Sequence, residues 1–243
     1  MNKEGENSAC NQEIGILMLD TTFQRLPGDI GNPGTFNFPV RYCLVEGASP
    51  KRVVEEMDRT LLQPFIMAAR KLQNEGVSAI TTSCGFLVLF QRELADSVEV
   101  PLFTSSLLQI PFLYRLFGSR GKAGILTARA ASLSAMHLRA CEADSIPHEI
   151  AGMDDCPSFS RVFLERDGSS AEQTLDRAAI EEEIRSTASA LVVAHPEIRF
   201  IVLECTNMVP FRSAIREVTE RPIFDIVTLT RFVHAGLCWD WRG

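Results

Sequence analysis

Short apolar runs alternating with helical patterns set the layout of this chain. Ile14-Gly15-Ile16-Leu17-Met18-Leu19 carries no polar side chain and ends on Asp20, which reads as a fully buried strand with an acid at its tip. Val40 to Glu46 predicts a second strand. Ser49 as a cap and Pro50 at the first helical position then open a pattern in which Val53, Met57, Leu61, Leu62, Phe65 and Ala69 recur at helical spacing, predicting one long helix to about Asn74. A strand over 77–83, a helical stretch, a strand over 100–104 and a helix to Phe117 follow. At Gly118-Ser119-Arg120-Gly121 the pattern restarts. Lys122 to Thr127 repeats the first strand, Ser132 to Cys141 is helical, and His148 to Met153 is a strand. An irregular 154–170, a helix from about Ala171 to Ala194, a strand from Phe200, a short strand at 222–225 and a helix to about Cys238 complete the chain. Strands alternating with helices imply parallel sheets covered on both faces. The restart, with similar but unequal offsets between matching elements, fits a diverged duplication.

Two stretches echo each other across the halves: Thr81-Thr82-Ser83-Cys84-Gly85-Phe86 and Leu203-Glu204-Cys205-Thr206-Asn207-Met208. Each places a cysteine where an apolar strand hands over to a helix. Unpaired backbone N–H groups and the positive end of a helix dipole converge at such a point, and both favour thiolate over thiol. A matched pair of cysteines in this context predicts two acid/base groups facing one site.

Composition narrows the classes. With 243 residues and 46% hydrophobic positions the chain can bury a sizeable core. A formal charge of −7, with no basic run interleaved with aromatics, argues against a nucleic-acid partner. No apolar run approaches the length of a membrane span and the first twelve residues are polar, so the expectation is a cytoplasmic protein with no membrane partner. The seven cysteines are odd in number and scattered, without a Cys-x-x-Cys, which predicts neither a disulfide framework nor a zinc site. Gly28, Gly31 and Gly34 match no phosphate-binding fingerprint, and the breaker-rich loop over 21–39 reads as a lid beside the first strand tip. Cys10, Cys43, Cys141, Cys156 and Cys238 lack the strand-to-helix context and read as inert, and none of the four histidines lies in a cysteine motif.

The two cysteine motifs resemble those of the aspartate/glutamate racemase superfamily, which includes hydantoin racemases, and the resemblance spans nearly the whole chain. It implies an α/β fold of two pseudo-symmetric flavodoxin-like domains with parallel sheets and a ligand cleft between them. Residues 1–117 with 222–243 would form the first domain and 118–221 the second. It also implies racemisation or epimerisation without cofactor or metal, in which Cys84 and Cys205 flank one carbon, one as thiolate and one as thiol. Asp20 followed by Thr21-Thr22, Gly85-Phe86 after the first cysteine and Thr206-Asn207 after the second depart from glutamate racemases: the missing histidine after Cys205 argues against a cell-wall glutamate racemase, and Gly85-Phe86 resembles the hydantoin-racemase-like or uncharacterised branches.

The resulting expectation is an isomerase acting on a small amino acid or hydantoin-like acid, with a small carboxylate or hydantoin as ligand and a homo-oligomer as the possible assembly. Asp20, Ser83, Gly85, Phe86, Thr127, Ser132, Thr206 and Asn207 are its candidate substrate-binding residues. Asp20 serves equally well as a loop cap, and each hydroxyl as a helix cap. Arg25, in the loop, is a weaker candidate for a carboxylate clamp. Two alternatives stand beside this reading. One is a decarboxylase or a cis/trans isomerase of small diacids on the same fold; the other is a carboxylate-binding protein without catalysis.

Overall fold

In the computed structural model, which describes residues 10–164 and 175–238, the alternation becomes two four-stranded parallel sheets. The first half supplies β1 (Ile14–Leu19), β2 (Val40–Val45), α1 (Leu62–Asn74), β3 (Ala79–Thr82), α2 (Gln91–Ala95), β4 (Leu102–Phe103) and α3 (Ile110–Leu116). The second supplies β5 (Lys122–Thr127), α4 (Ala135–Ala140), β6 (His148–Gly152), α5 (Pro157–Phe163), α6 (Arg177–Ala194), β7 (Ile198–Leu203), α7 (Arg212–Thr219), β8 (Ile223–Phe224) and α8 (Ile226–Leu237). The strand orders, β2-β1-β3-β4 and β6-β5-β7-β8, are the same in each half. The expected pair of pseudo-equivalent parallel α/β units is therefore what the chain builds. The apolar β1 and β7 lie at central positions, where both faces are covered.

The halves interlock through their last helices. After β4 the chain crosses over, and α3 packs Ile110 and Leu113 into a core shared with Ala123, Ile125 and Val202 of the second sheet, while Phe117 stacks on Phe200 at 5.2 Å. After β8 it crosses back, and Ile226 and Val227 of α8 join Ile14, Ile16 and Ala79. Ile223–Phe224 pairs with β7 before the chain crosses back. This return sets the Cys238 Cα 5.5 Å from that of Cys10, and the two form a disulfide. The expectation of no disulfide framework, with Cys10 and Cys238 inert, is corrected at this one pair: proximity came from tertiary packing that spacing does not encode.

Two local expectations also change. The helix over 49–74 is not continuous. A five-residue π turn at Lys51–Glu55 ends before Met57, whose φ of 47° breaks the run. Asp58 then caps a new start by accepting the Thr60 N–H at 2.9 Å. Pro64 has no N–H and crowds the turn before it, so it belongs to a first turn and not to the middle of a helix. Within 154–170, read as irregular, α5 forms with Pro157 at its first position and buries Phe159, Val162 and Phe163. The onset expected near Ala171, together with Trp239 and Trp241, lies outside the described residues. Among the described residues no helix is long and apolar enough to cross a membrane.

Candidate active site

Each cysteine is placed by the same device. Where β3 ends, the Ser83 N–H donates to the Leu17 carbonyl at 2.9 Å, and the Ser83 hydroxyl accepts the Leu19 N–H at 2.9 Å. The latch leaves Cys84 extended, and a 3-10 turn over Gly85–Phe90 begins behind it. In the second half the Glu204 N–H donates to the Leu126 carbonyl at 2.8 Å, and the Glu204 carboxyl accepts from Thr127 Oγ1 at 2.6 Å. Cys205 is likewise extended, with a 3-10 turn over Thr206–Phe211. Glu204 therefore occupies the position that Ser83 holds in the first half. Two hydrogen bonds seal the halves together here: Thr206 Oγ1 donates to the Ser83 carbonyl at 2.8 Å and Ser106 Oγ to the Leu203 carbonyl at 2.6 Å.

Both thiols line one narrow cleft at the carboxyl ends of the strands. Its walls are Ser83, Gly85, Phe86, Glu204, Thr206 and Asn207 from the cysteine motifs, Thr21, Phe23 and Arg25 from the β1–β2 loop, and Phe163 and Leu164 behind α5. The loop is folded onto the site: Thr35 Oγ1 donates to the Asp29 carbonyl at 2.6 Å and Asn32 Nδ2 to the Arg25 carbonyl at 2.8 Å. Gly28, at φ 95°, passes so close to Pro210 of the second half that a Cβ would lie 3.4 Å from its Cα. Arg25 is fixed inside the cleft. Its guanidinium pairs with the buried Asp29 at 3.2 Å, donates to Thr21 Oγ1 at 2.8 Å and to Asn207 Oδ1 at 3.5 Å, and lies over the Phe23 ring at 4.3 Å. Phe23 and Phe163 meet edge to face at 5.0 Å.

The electrostatics reverse the expectation of depressed thiol pKa values. Amide N–H groups of Phe86 and Leu87 do point at Cys84, and that of Asn207 at Cys205, as a helical start should provide. Burial outweighs them, and the charge of Glu204 adds to it. Cys84 is pushed up to about 12, and Cys205 is raised as well. Glu204 itself, 1% exposed, is raised by burial from 4.5 to about 7 against the hydrogen bonds of Thr127 and Ala128. At neutral pH the resting site thus holds two protonated thiols and one carboxyl near its midpoint.

Of the residues expected from sequence, Cys84, Cys205, Ser83, Gly85, Phe86, Thr206 and Asn207 converge on this cleft, while three do not line it. Asp20 is exposed and accepts the Gly47 N–H at 3.1 Å, so its loop-capping alternative is the one realised. Ser132 closes a turn over Ala130–Ser132 away from the cleft. Thr127 is fully buried and reaches the site only through its 2.6 Å hydrogen bond to Glu204 Oε2. Glu204 was not singled out, although an acid ending an otherwise apolar strand was the available signal. The Phe23 and Phe163 walls came from segments that local patterning left irregular.

The twin sheets give the chain a two-domain fold shared with solved racemases and a decarboxylase. Solved structures with this fold include unliganded arylmalonate decarboxylase (13% identity, 95% of this chain and 94% of that one, TM-score 0.60). An aspartate racemase homologue from Pyrococcus horikoshii OT3 also shares it (14%, 93% and 99%, TM-score 0.59). So does glutamate racemase from Francisella tularensis in complex with D-glutamate (14%, 96% and 85%, TM-score 0.55).

Sequence gives the finer assignment. The chain is 31% identical over 230 residues to dimethylsulfoniopropionate lyase from Durusdinium sp. clade D, covering 92% of this chain and 74% of that protein. It is 30% identical over 232 residues to dimethylsulfoniopropionate lyase 7 of Emiliania huxleyi, covering 92% and 67%. The chain belongs to the dimethylsulfoniopropionate lyase family. No family model matches it. These relatives overturn the expectation of an isomerase: they are named as lyases, so the amino-acid or hydantoin racemase reading is withdrawn. The resemblance on which that reading rested located the fold. The reaction is not fixed by two cysteines in a cleft, because abstraction of a proton beside a carboxylate begins more than one chemistry.

Proposed function

We propose that this protein cleaves dimethylsulfoniopropionate, or a closely similar sulfonium carboxylate, by elimination. The observation that carries this reading is the 31% identity to a lyase of that name over 92% of the chain. The cleft suits the substrate. Arg25, held by Asp29, Thr21 and Asn207, brings a guanidinium to the cleft for the carboxylate, and the lining rings of Phe23, Phe86 and Phe163 offer apolar surface to the methyl groups of a dimethylsulfonium.

Elimination needs one base where racemisation needs two. A thiolate of Cys84 or Cys205 takes the proton from the carbon beside the carboxylate. The C–H electron pair becomes the new C=C bond, and the C–S bond breaks with its pair leaving on sulfur. The products are dimethyl sulfide and acrylate, with the abstracted proton on the thiol. Amides at Phe86, Leu87 and Asn207 stabilise whichever thiolate forms. The test is headspace detection of dimethyl sulfide, with acrylate followed by NMR, for the parent, Cys84→Ser and Cys205→Ser. The variant lacking the base should lose about 10³-fold or more in kcat, within the range of a lost general base, and thereby assign it. A folded parent that releases no dimethyl sulfide above background would refute the reading.

A further inference from the structure

A two-base racemase delivers one proton to its product for each one it removes, but an elimination leaves one proton on the enzyme in every turnover. On the lyase reading, that proton sits on a thiol of the cleft, buried Cys205 or partly exposed Cys84, and must be cleared before the next cycle. We propose that Glu204 is the proton relay of this cleft, accepting the thiol proton that generates the base and passing it to water once per turnover.

Three observations support the assignment. First, the position is that of Ser83 in the other half, where a hydroxyl suffices to latch the strand end. The second half keeps the backbone bond of the latch, from the Glu204 N–H to the Leu126 carbonyl, and sets an ionisable group where the first half has a hydroxyl. Second, the carboxyl is only half used. Oε2 accepts from Thr127 at 2.6 Å, while Oε1 is buried without a hydrogen-bond partner. Third, space has been kept for it beside both thiols. It precedes Cys205 in the chain, and a Cβ on Gly85, the residue after Cys84, would overlap both Oε1 and the Glu204 carbonyl oxygen.

The step balances. The S–H bond breaks and its proton goes to the Glu204 carboxylate, leaving a thiolate. That thiolate takes the substrate's proton and becomes a thiol again, and the Glu204 O–H gives its proton to solvent. Oε1 makes no hydrogen bond to either sulfur, so the transfer runs through a water or a rotation of the thiol. A carboxyl raised to about 7 can accept and release a proton at neutral pH, whereas an ordinary one would hold it too weakly.

The experiment has one arm without substrate and one with it, on the full chain. In the first, iodoacetamide alkylation of Cys84 and Cys205 is followed against pH by peptide mass spectrometry. A thiol sharing a proton with Glu204 shows an inflection near pH 7, because the pair titrates as a unit. Glu204→Gln, and Glu204→Ser, which copies the Ser83 latch, should both lose that inflection. In the second arm, the acid limb of kcat for dimethyl sulfide release should disappear in both variants with a fall of about 10²-fold or more, and formate should restore part of the rate to Glu204→Ser. Thr127→Val, which removes a hydrogen bond to the carboxylate, should move the limb to higher pH. An unchanged alkylation profile, with kcat within about threefold of the parent, would overturn the relay. A parent that shows the inflection and releases no dimethyl sulfide would sink the lyase reading while leaving the thiol–carboxyl pair standing.

Discussion

Gly85→Ala is the sharpest small perturbation of this site. The new methyl group would meet the Glu204 carbonyl oxygen and Oε1, and neither can step aside freely. The carbonyl belongs to the backbone at the end of β7, and the carboxyl is held through Oε2 by Thr127 at 2.6 Å. The clash also falls on the seam where Thr206 donates to the Ser83 carbonyl at 2.8 Å. Forcing one extra methyl into such packing costs about 1–3 kcal/mol. At about 2–4 °C per kcal/mol for a chain of this size, Tm should fall by about 2–12 °C. The activity should fall further than stability requires. A displacement of about 1 Å between a base and its carbon costs about 10²-fold, and both cysteine motifs are pushed at once. Circular dichroism melts and headspace dimethyl sulfide assays on the same preparation measure the two effects. A variant with the parent's Tm and kcat would refute the close approach of Gly85 to Glu204 and the reasoning built on it.

The remaining predictions concern charge. Arg25→Lys keeps the cation but loses the fork, so KM should rise about 10- to 100-fold, the worth of a charge-assisted hydrogen bond, with a smaller change in kcat; an unchanged KM would remove Arg25 from carboxylate recognition. Glu204 carries a folded-state pKa of about 7 against 4.5 unfolded, so folding opposes its ionisation. Its stabilising effect is complete below the unfolded value and is lost as pH rises through the folded one, in total about 3 kcal/mol. Urea midpoints of the parent, compared with Glu204→Gln, should therefore decline between pH 4.5 and 7, and a pH-independent difference would contradict the burial of that carboxyl.

Much of the architecture was legible because it depends on local periodicity. The apolar runs at 14–19 and 200–203, the restart at Gly121 and the matched cysteine contexts each follow from which side chains must leave water, and parallel sheets covered on both faces need little else. Cys84, Cys205 and their immediate neighbours were found for the same reason: a strand ending in small polar residues states where the sheet's edge will be. Other parts of the site depend on long-range pairing. Arg25 looked like a solvated loop residue until the loop folded onto the cleft and gave it Asp29 and Asn207 as partners. Phe163 became a wall only once α5 existed. Asp20 and Ser132 had plausible side chains in plausible places, but the backbone turned them away.

The sequence by itself determined two parallel α/β halves and a pair of cysteines at matching strand ends, because hydrophobic spacing and strand-to-helix junctions are properties of neighbours in the chain. Only the tertiary structure decided what those cysteines experience. Burial and the Glu204 carboxyl, brought against the Cys84 turn from 120 residues away in the chain, outweigh the backbone amides and keep both thiols protonated at rest. Desolvation and close charge act through space, and no local pattern contains the distances on which they depend.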